Sequence, residues 1–292
     1  MVEDSTDPLL GRLIDGRYLV QERLGAGAAG SVYRAREQAG RQREVAIKIW
    51  HHSMDDDTVL GRFKREAAAL DTLIHPNVVD IYDCGFVDGL PYMAMELLSG
   101  CTLEELLPSS GTLHVALTLD IAHQLLDALA CAHERGLVHR DIKPDNIFLV
   151  SERGAQRVKV LDYGLAKFIS RADAPAGDMP LTAEGTVIGT PLYMPPEQAA
   201  GGNIDLRTDV YSAGCVLFEM LAGQPPYIAE TLPEILRLHY KEPIPRLRDH
   251  RSDLDDCDGL QALLDRAMAK RPAERYANAG EMLEALDALA TS

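Results

Sequence analysis

The stretch Leu137–Leu149 reads LVHRDIKPDNIFL, and it places polar groups suited to phosphoryl transfer at fixed spacing between apolar flanks. Asp141 can orient a hydroxyl group and accept its proton. Asn146, five positions further on, can bind a divalent metal ion through its amide oxygen. Lys143 lies between them and can neutralise the charge of a phosphoryl group during its transfer. The stretch therefore predicts phosphoryl-transfer chemistry.

Composition argues against several other classes of protein. The 292 residues include 29 Lys and Arg against 45 Asp and Glu, a formal net charge of −16, which makes nucleic acid and anionic membrane surfaces poor partners. The five cysteines form no Cys-x-x-Cys pair, as is typical of reduced thiols in the cytoplasm. Met1–Pro8 resembles no signal sequence, and the apolar run Val210–Ala222 is too short to cross a bilayer. We therefore expect a cytoplasmic chain without a membrane segment, either complete or the cytosolic domain of a longer membrane-anchored protein.

Hydrophobic periodicity divides the chain into a β-rich part and a helical part. After a predicted flexible leader, residues 1–12, short β-rich runs alternate with glycine-rich turns as far as Trp50, which predicts an antiparallel meander. Apolar spacing predicts a helix over about 57–73, and further strands are expected at Val78–Tyr82 and Pro91–Met95.

Beyond residue 97 the pattern is mainly helical. We expect helices at about 117–132, 210–222, 232–240, 260–269 and 279–289. The fold class predicted is α+β, with an N-terminal β-rich lobe over 13–96 and a helical lobe over 97–290. The stretch Ser170–Thr186 is the least structured part of the interior, as is typical of a functional or disordered loop.

A glycine-rich turn, Gly25-Ala26-Gly27-Ala28-Ala29-Gly30, has two interpretations. In a nicotinamide-dependent oxidoreductase it would open a helix, and an acid would end the next strand about 20 residues on. Glu44 lies near that distance but precedes its strand, and Ser31-Val32-Tyr33 favours a strand after the turn. The context therefore favours a β-turn-β lid whose N–H groups approach phosphates.

Two further groups suited to phosphoryl transfer are a lysine in the strand Val45–Ile49 and the acid Asp162. Lys48 shares a strand face with Ala46, so it is expected under the glycine turn rather than in solvent, and Glu66 on the following helix is its candidate partner. Asp162, in Leu161-Asp162-Tyr163-Gly164, would bind Mg²⁺ together with Asn146.

With these motifs in this order, the chain resembles Hanks-type serine/threonine protein kinases of bacterial style over about 13–289. The runs HPNVVDIYD, GTPLYMPPEQA and TDVYSAG are similar to that family. The resemblance implies a bilobal kinase fold that transfers the γ-phosphoryl group of ATP, with Mg²⁺ or Mn²⁺, to Ser or Thr of protein substrates. It also implies activation by autophosphorylation and a homodimer formed through the N-terminal lobe.

The resemblance also implies roles for individual residues. Catalytic roles fall on Asp141, Lys143, Lys48, Glu66 and Thr190. Nucleotide binding falls on the glycine turn, strand and hinge positions Leu24, Gly25, Gly27, Gly30, Val32, Ala46, Lys48, Met95, Glu96, Leu98 and Phe148. Metal binding falls on Asn146 and Asp162, and regulation on Arg140, Thr182 and Thr186. Structural roles fall on Tyr163, Glu197, Asp209 and Arg275.

Two departures from the family pattern leave a second class open. Tyr163 stands where the family has Phe in D-F-G, and Pro195 stands where it has Ala in A-P-E. A pseudokinase, a binding module on the same fold, would show such departures, but it usually lacks one of the residues Lys48, Asp141, Asn146 or Asp162. All of these are present, so an active enzyme is the prediction.

Overall fold

The structure, a computed structural model, describes residues 7–27, 30–38, 40–51, 72–152, 154–163, 190–251 and 257–290. They form two compact units. The first holds the described residues up to Ile74 together with Val79–Ser99, and the second holds His75–Val78, 100–163 and the described residues from 190 onward. The lobe boundaries predicted from the sequence, 13–96 and 97–290, stay a prediction, and residues 75–78 lie with the second unit.

The first unit is an antiparallel sheet with strand order β1-β2-β3-β4-β6-β5. Its strands are β1 (Leu13–Ile14), β2 (Tyr18–Ala26), β3 (Gly30–Glu37), β4 (Glu44–Trp50), β5 (Ile81–Val87) and β6 (Leu90–Glu96). Alternate residues of β4, Val45, Ile47 and Ile49, point into the core cluster. Successive side chains of a strand point to opposite faces, so Ala46 and Lys48 share the other face.

The described end of the predicted leader is folded onto β2. The amide of Gly11 donates to the carbonyl of Val20 at 3.0 Å, and the amide of Val20 donates to the carbonyl of Arg12 at 2.9 Å. Leu9 packs against the core cluster, and Arg12 forms an ion pair with Asp88 at 2.7 Å. Residues 7–12 therefore belong to the first unit.

The strand predicted at Val78–Tyr82 lies further along the chain, at Ile81–Val87. Val78 instead forms an isolated parallel bridge with Val160 of the second unit. Gly85 interrupts the strand pattern in the sequence, but it is required where it stands, since a Cβ there would lie 2.6 Å from the ring of Tyr92. The helix predicted over 57–73 lies almost wholly outside the described residues.

The second unit combines a small sheet with helices. Its strands β7 (Gly100–Thr102), β8 (Ile147–Glu152) and β9 (Ala155–Val160) are antiparallel in that order. Its described α-helices are α1 (Leu103–Ser110), α2 (Val115–His133), α3 (Pro196–Ala199), α4 (Leu206–Ala222), α5 (Leu232–Lys241), α6 (Asp258–Ala267) and α7 (Ala279–Ala290). Short 3₁₀ helices lie at Pro144–Asn146, Thr190–Tyr193, Leu247–Asp249 and Pro272–Glu274.

Helices α2 and α4 form the centre of this unit. Among the described residues, α2 alone is long and apolar enough to span a bilayer by length and composition. It packs against α4, α7 and β9 with Ile121, Leu125 and Leu129 buried, as expected of a core helix. Helix α4 is capped by Asp205 and by Gly223 at φ 77°, and every residue from Thr208 to Ala222 is buried. A helix that is buried on all sides can contact the neighbouring elements with side chains from each of its faces.

Candidate active site

The carboxylate of Asp209, in the first turn of α4, anchors the main chain of Leu137–Leu149, the predicted catalytic stretch. It accepts hydrogen bonds from the amides of His139 at 2.7 Å and Arg140 at 2.8 Å, and from Nε2 of His133 at 2.9 Å. Arg140 has φ +67°, a left-handed conformation that costs a residue with a Cβ about 1–2 kcal/mol. The two amide bonds to Asp209 offset that cost, so the buried helix fixes the backbone that leads into Asp141.

His139 connects Asp141 to the segment before Asp162. Its Nδ1 accepts from the amide of Asp141 at 3.2 Å, so Nε2 carries the proton and donates to the carbonyl of Leu161 at 2.7 Å. Burial lowers the pKa of His139, and a neutral ring in this tautomer satisfies both bonds. The catalytic stretch and the Leu161–Tyr163 segment are therefore held in register.

The side chains of Asp141, Lys143 and Asn146 come together as the sequence spacing requires. The 3₁₀ helix Pro144–Asn146 turns the chain back, so that Nδ2 of Asn146 donates to the main-chain oxygen of Asp141 at 2.7 Å and to its Oδ2 at 3.1 Å. Nζ of Lys143 lies 3.4 Å from the same Oδ2. Because both hydrogens of Nδ2 are engaged, Oδ1 is the oxygen of Asn146 left to act as a ligand.

Asn146 and Asp162 fit a divalent metal ion of the hard, oxygen-binding kind. Asn146 offers Oδ1, and Asp162 offers a carboxylate at a position with φ +52°. The amide of Leu161 donates to the carbonyl of Asn146 at 2.9 Å, which couples the two residues through the backbone. An amide oxygen and a carboxylate, completed by phosphate oxygens, form a donor set typical of hard divalent cations.

Tyr163 is buried, with an exposed fraction of 6%. Its ring centroid lies 4.5 Å from that of His139, with the rings tilted by 51°. Its hydroxyl has a partner, the carbonyl of Ala128 in α2, at 3.5 Å. The departure from D-F-G is therefore accommodated by a hydrogen bond to a helix.

In the first unit, the glycines of the turn differ in the space around them. The amide of Gly27 donates to the carbonyl of Gly30 at 2.9 Å. A Cβ at Gly30 would lie 2.5 Å from the main-chain oxygen of Ile49, whereas Gly25 and Gly27 have open space. Gly30 is therefore required by the contact between β3 and β4, and the other two leave room for a ligand.

Lys48 lies on β4 opposite Val32 of β3 and Met93 of β6. Its amine is 5.5 Å from the ring centroid of Trp50, so Lys48, Trp50 and Ala46 share one face of the sheet. Its predicted partner Glu66 lies outside the described residues.

The remaining predicted positions are described only within their own units. Met95 is buried and pairs with Ala46, and the amide of Glu96 donates to the carbonyl of Asp80 at 2.9 Å. Leu24 is 44% exposed, and Leu98 and Phe148 are half-buried. Thr190 begins a 3₁₀ helix, but its side chain, like Thr182 and Thr186, lies outside the described residues. The roles of these positions stay predictions.

Glu197 and Arg275 form a bidentate ion pair. Nη1 and Nη2 of Arg275 donate to the two carboxylate oxygens of Glu197 at 2.7 and 2.8 Å, and the side chains are 0% and 11% exposed. Arg275 also donates to the carbonyls of Ala269, Arg207 and Lys270. The pair fixes α3 on the chain segment that precedes α7. Pro195, which stands where the family has Ala, is the residue immediately before α3.

Sequence reasoning missed a buried acid, Glu219, that supports the segment around Tyr193, just before α3. The hydroxyl of Tyr193 donates to Oε2 of Glu219 on α4 at 2.6 Å, and Oγ of Ser212 donates to the carbonyl of Tyr193 at 2.8 Å. Burial raises the pKa of Glu219 to about 7. A single acid inside an otherwise apolar helical run was the sequence signal for it.

Comparison with known proteins identifies the family. Residues 18–286 match the protein kinase domain family. The chain belongs to the protein kinase family. It is 37% identical over 278 residues to the serine/threonine-protein kinase pkn3 of Myxococcus xanthus, covering 94% of this chain and 50% of that protein. It is 37% identical over 275 residues to the serine/threonine-protein kinase PrkC of Bacillus subtilis, covering 94% and 40%.

Among solved structures, the PknI kinase domain of Mycobacterium tuberculosis is similar, with a TM-score of 0.73 and 28% identity over 97% of this chain and 98% of that one. The predicted family, kinase fold class and enzyme class, a protein serine/threonine kinase domain, are confirmed. The family acts on protein substrates and uses ATP and a divalent metal ion. The chain spans half or less of the length of the curated relatives named above.

Proposed function

We propose that this protein transfers the γ-phosphoryl group of ATP to serine or threonine hydroxyls of protein substrates with Mg²⁺, and that its domain is switched on by autophosphorylation. The observation that carries the proposal is the geometry around Asp141, whose carboxylate lies 3.1 Å from Asn146 Nδ2 and 3.4 Å from Lys143 Nζ. An acid, a cation and a metal-binding amide thus meet within one turn of chain.

The reaction forms a bond between the substrate hydroxyl oxygen and the γ-phosphorus and breaks the bond between that phosphorus and the β,γ-bridging oxygen. Asp141 orients the hydroxyl and accepts its proton, and ADP leaves with the bridging oxygen. Lys143 offsets charge on the phosphoryl group. When bound, the divalent ion offsets phosphate charge as well, and Asn146 and Asp162 are the residues that would hold it.

Mg²⁺ is proposed over softer metals because the two protein donors are an amide oxygen and a carboxylate oxygen. Serine and threonine are proposed as acceptors because Lys143 follows Asp141 at the spacing of the serine/threonine class, and because the relatives compared carry that name.

Activation by phosphate is proposed to act through Arg140. The amide of Arg140 donates to the carboxylate of Asp209 at 2.8 Å, which fixes the backbone of Arg140. A phosphothreonine carries a charge of about −1.5 to −2 and can pair with an arginine side chain. Thr182 and Thr186 are the candidate acceptors. A cytoplasmic location is proposed because the cysteines are odd in number and form no Cys-x-x-Cys pair, a pattern typical of reduced thiols.

The test is the variant Asp141→Asn, with the exposed Asp249→Asn as control. Transfer of labelled phosphate to a generic protein substrate should fall about 10²–10⁴-fold in Asp141→Asn, while calorimetric binding of Mg-ATP stays near that of the wild type. Asp249→Asn should match the wild type in both. Wild-type transfer by Asp141→Asn, or label found on tyrosine alone, contradicts the proposal.

A further inference from the structure

The hydroxyl of Tyr163 is buried and has one acceptor described, the carbonyl of Ala128 in α2 at 3.5 Å. A tyrosine hydroxyl carries one hydrogen and can donate it to this carbonyl. Phenylalanine, the residue of the D-F-G pattern, could make the ring contact with His139 but could not make this bond.

The residue before Tyr163 is Asp162, whose backbone is left-handed at φ +52°. A residue with a Cβ occupies this region only when its surroundings hold it there. On the N-terminal side, the amide and carbonyl of Leu161 are held by Asn146 at 2.9 Å and by His139 at 2.7 Å. On the C-terminal side, the described contacts are those of Tyr163, namely its ring against His139 and its hydroxyl against Ala128.

We propose that Tyr163 is a positioning residue whose hydroxyl, bound to the carbonyl of Ala128, holds Asp162 in the backbone conformation that binds the metal ion. The inference rests on the proposed function, because the metal role of Asp162 is carried over from the family. It adds a residue-specific device that the family pattern does not contain. A long, neutral hydrogen bond changes an equilibrium by about two- to five-fold. The hydrogen bond from Tyr163 to Ala128, called the latch below, is therefore expected to adjust the affinity for the metal ion rather than to create the metal site.

The test compares Tyr163→Phe with Tyr227→Phe. Tyr227 is an equally buried tyrosine, 5% exposed, whose hydroxyl also donates to main-chain carbonyls, those of Glu242 and Pro243 at 3.2 and 3.0 Å. Both variants delete one buried hydroxyl, but only Tyr163→Phe changes the residue next to Asp162. Thermal melting establishes that both are folded.

Two measurements report on the latch. The first is Mn²⁺ affinity with a non-hydrolysable ATP analogue, followed by electron paramagnetic resonance. We expect Tyr163→Phe to weaken it about two- to five-fold and Tyr227→Phe to leave it unchanged. The second is hydrogen–deuterium exchange of residues 161–163 without metal or nucleotide, which should accelerate by a similar factor in Tyr163→Phe alone.

Wild-type affinity and wild-type exchange in Tyr163→Phe overturn the latch, and so does an equal effect of the two variants. The exchange measurement needs no catalysis, so it separates the two proposals. Faster exchange in a protein that transfers no phosphate would support the latch and reject the proposed function. Unchanged exchange in an active kinase would do the reverse.

Discussion

Replacing Glu197 with alanine should destabilise the second unit strongly, because it leaves the guanidinium of Arg275 without its carboxylate. Arg275 is 0% exposed and donates five hydrogen bonds, of which two go to Glu197 and three to main-chain carbonyls. Breaking a buried pair costs about 3–5 kcal/mol. Since the main-chain bonds survive, we expect the lower end, about 3 kcal/mol.

The assay is urea unfolding at constant pH, with the exposed pair Arg237–Glu242 as control. That pair has a similar separation, 3.0 Å, but its side chains are 53% and 41% exposed, so Glu242→Ala should cost at most about 1 kcal/mol. For Glu197→Ala the melting temperature should fall by about 6–12 °C. A loss below about 1 kcal/mol, equal to the surface control, would refute the claim that burial gives this pair its importance.

Two further predictions concern Glu219 and Gly30. Burial raises the pKa of Glu219 from 4.5 to about 7. The free energy of unfolding of the wild type, relative to that of Glu219→Gln, should therefore be highest below pH 4.5 and should fall by about 3 kcal/mol as the pH rises through about 7. Urea unfolding across that range measures this difference, and parallel curves for the two proteins would contradict it. Gly30→Ala should cost about 1–3 kcal/mol by overpacking, because its Cβ would lie 2.5 Å from the oxygen of Ile49, whereas Gly25→Ala, with open space around it, should melt like the wild type.

The catalytic stretch was predictable because its chemistry is local. Asp141, Lys143 and Asn146 lie within six residues, and a short 3₁₀ helix between them brings their side chains together. The main helices were also predictable from a local pattern: apolar spacing placed α2, α4, α5 and α7 within a few residues of their observed bounds. Pattern and motif spacing therefore sufficed for the fold class.

The contacts that could not be predicted depend on which residues meet across the fold. Nothing in the sequence around Tyr163 indicates that a carbonyl of α2 will accept its hydroxyl, because that depends on the rotation of α2 about its axis. The predicted position of β5 was wrong for a related reason. Gly85 weakens the strand pattern in the sequence, and the reason for a glycine there is the ring of Tyr92, which belongs to the neighbouring strand β6.

Helix α4 limits where this protein can change. Asp209, Ser212 and Glu219 project from it to the catalytic stretch and to the segment around Tyr193, and all residues from Thr208 to Ala222 are buried. In α5, by contrast, only Ile235 and His239 are fully buried. Substitutions in α5 can therefore accumulate on an open face, while α4 offers none. A substitution in α4 therefore has to fit a closely packed interior, whereas one on the open face of α5 meets solvent.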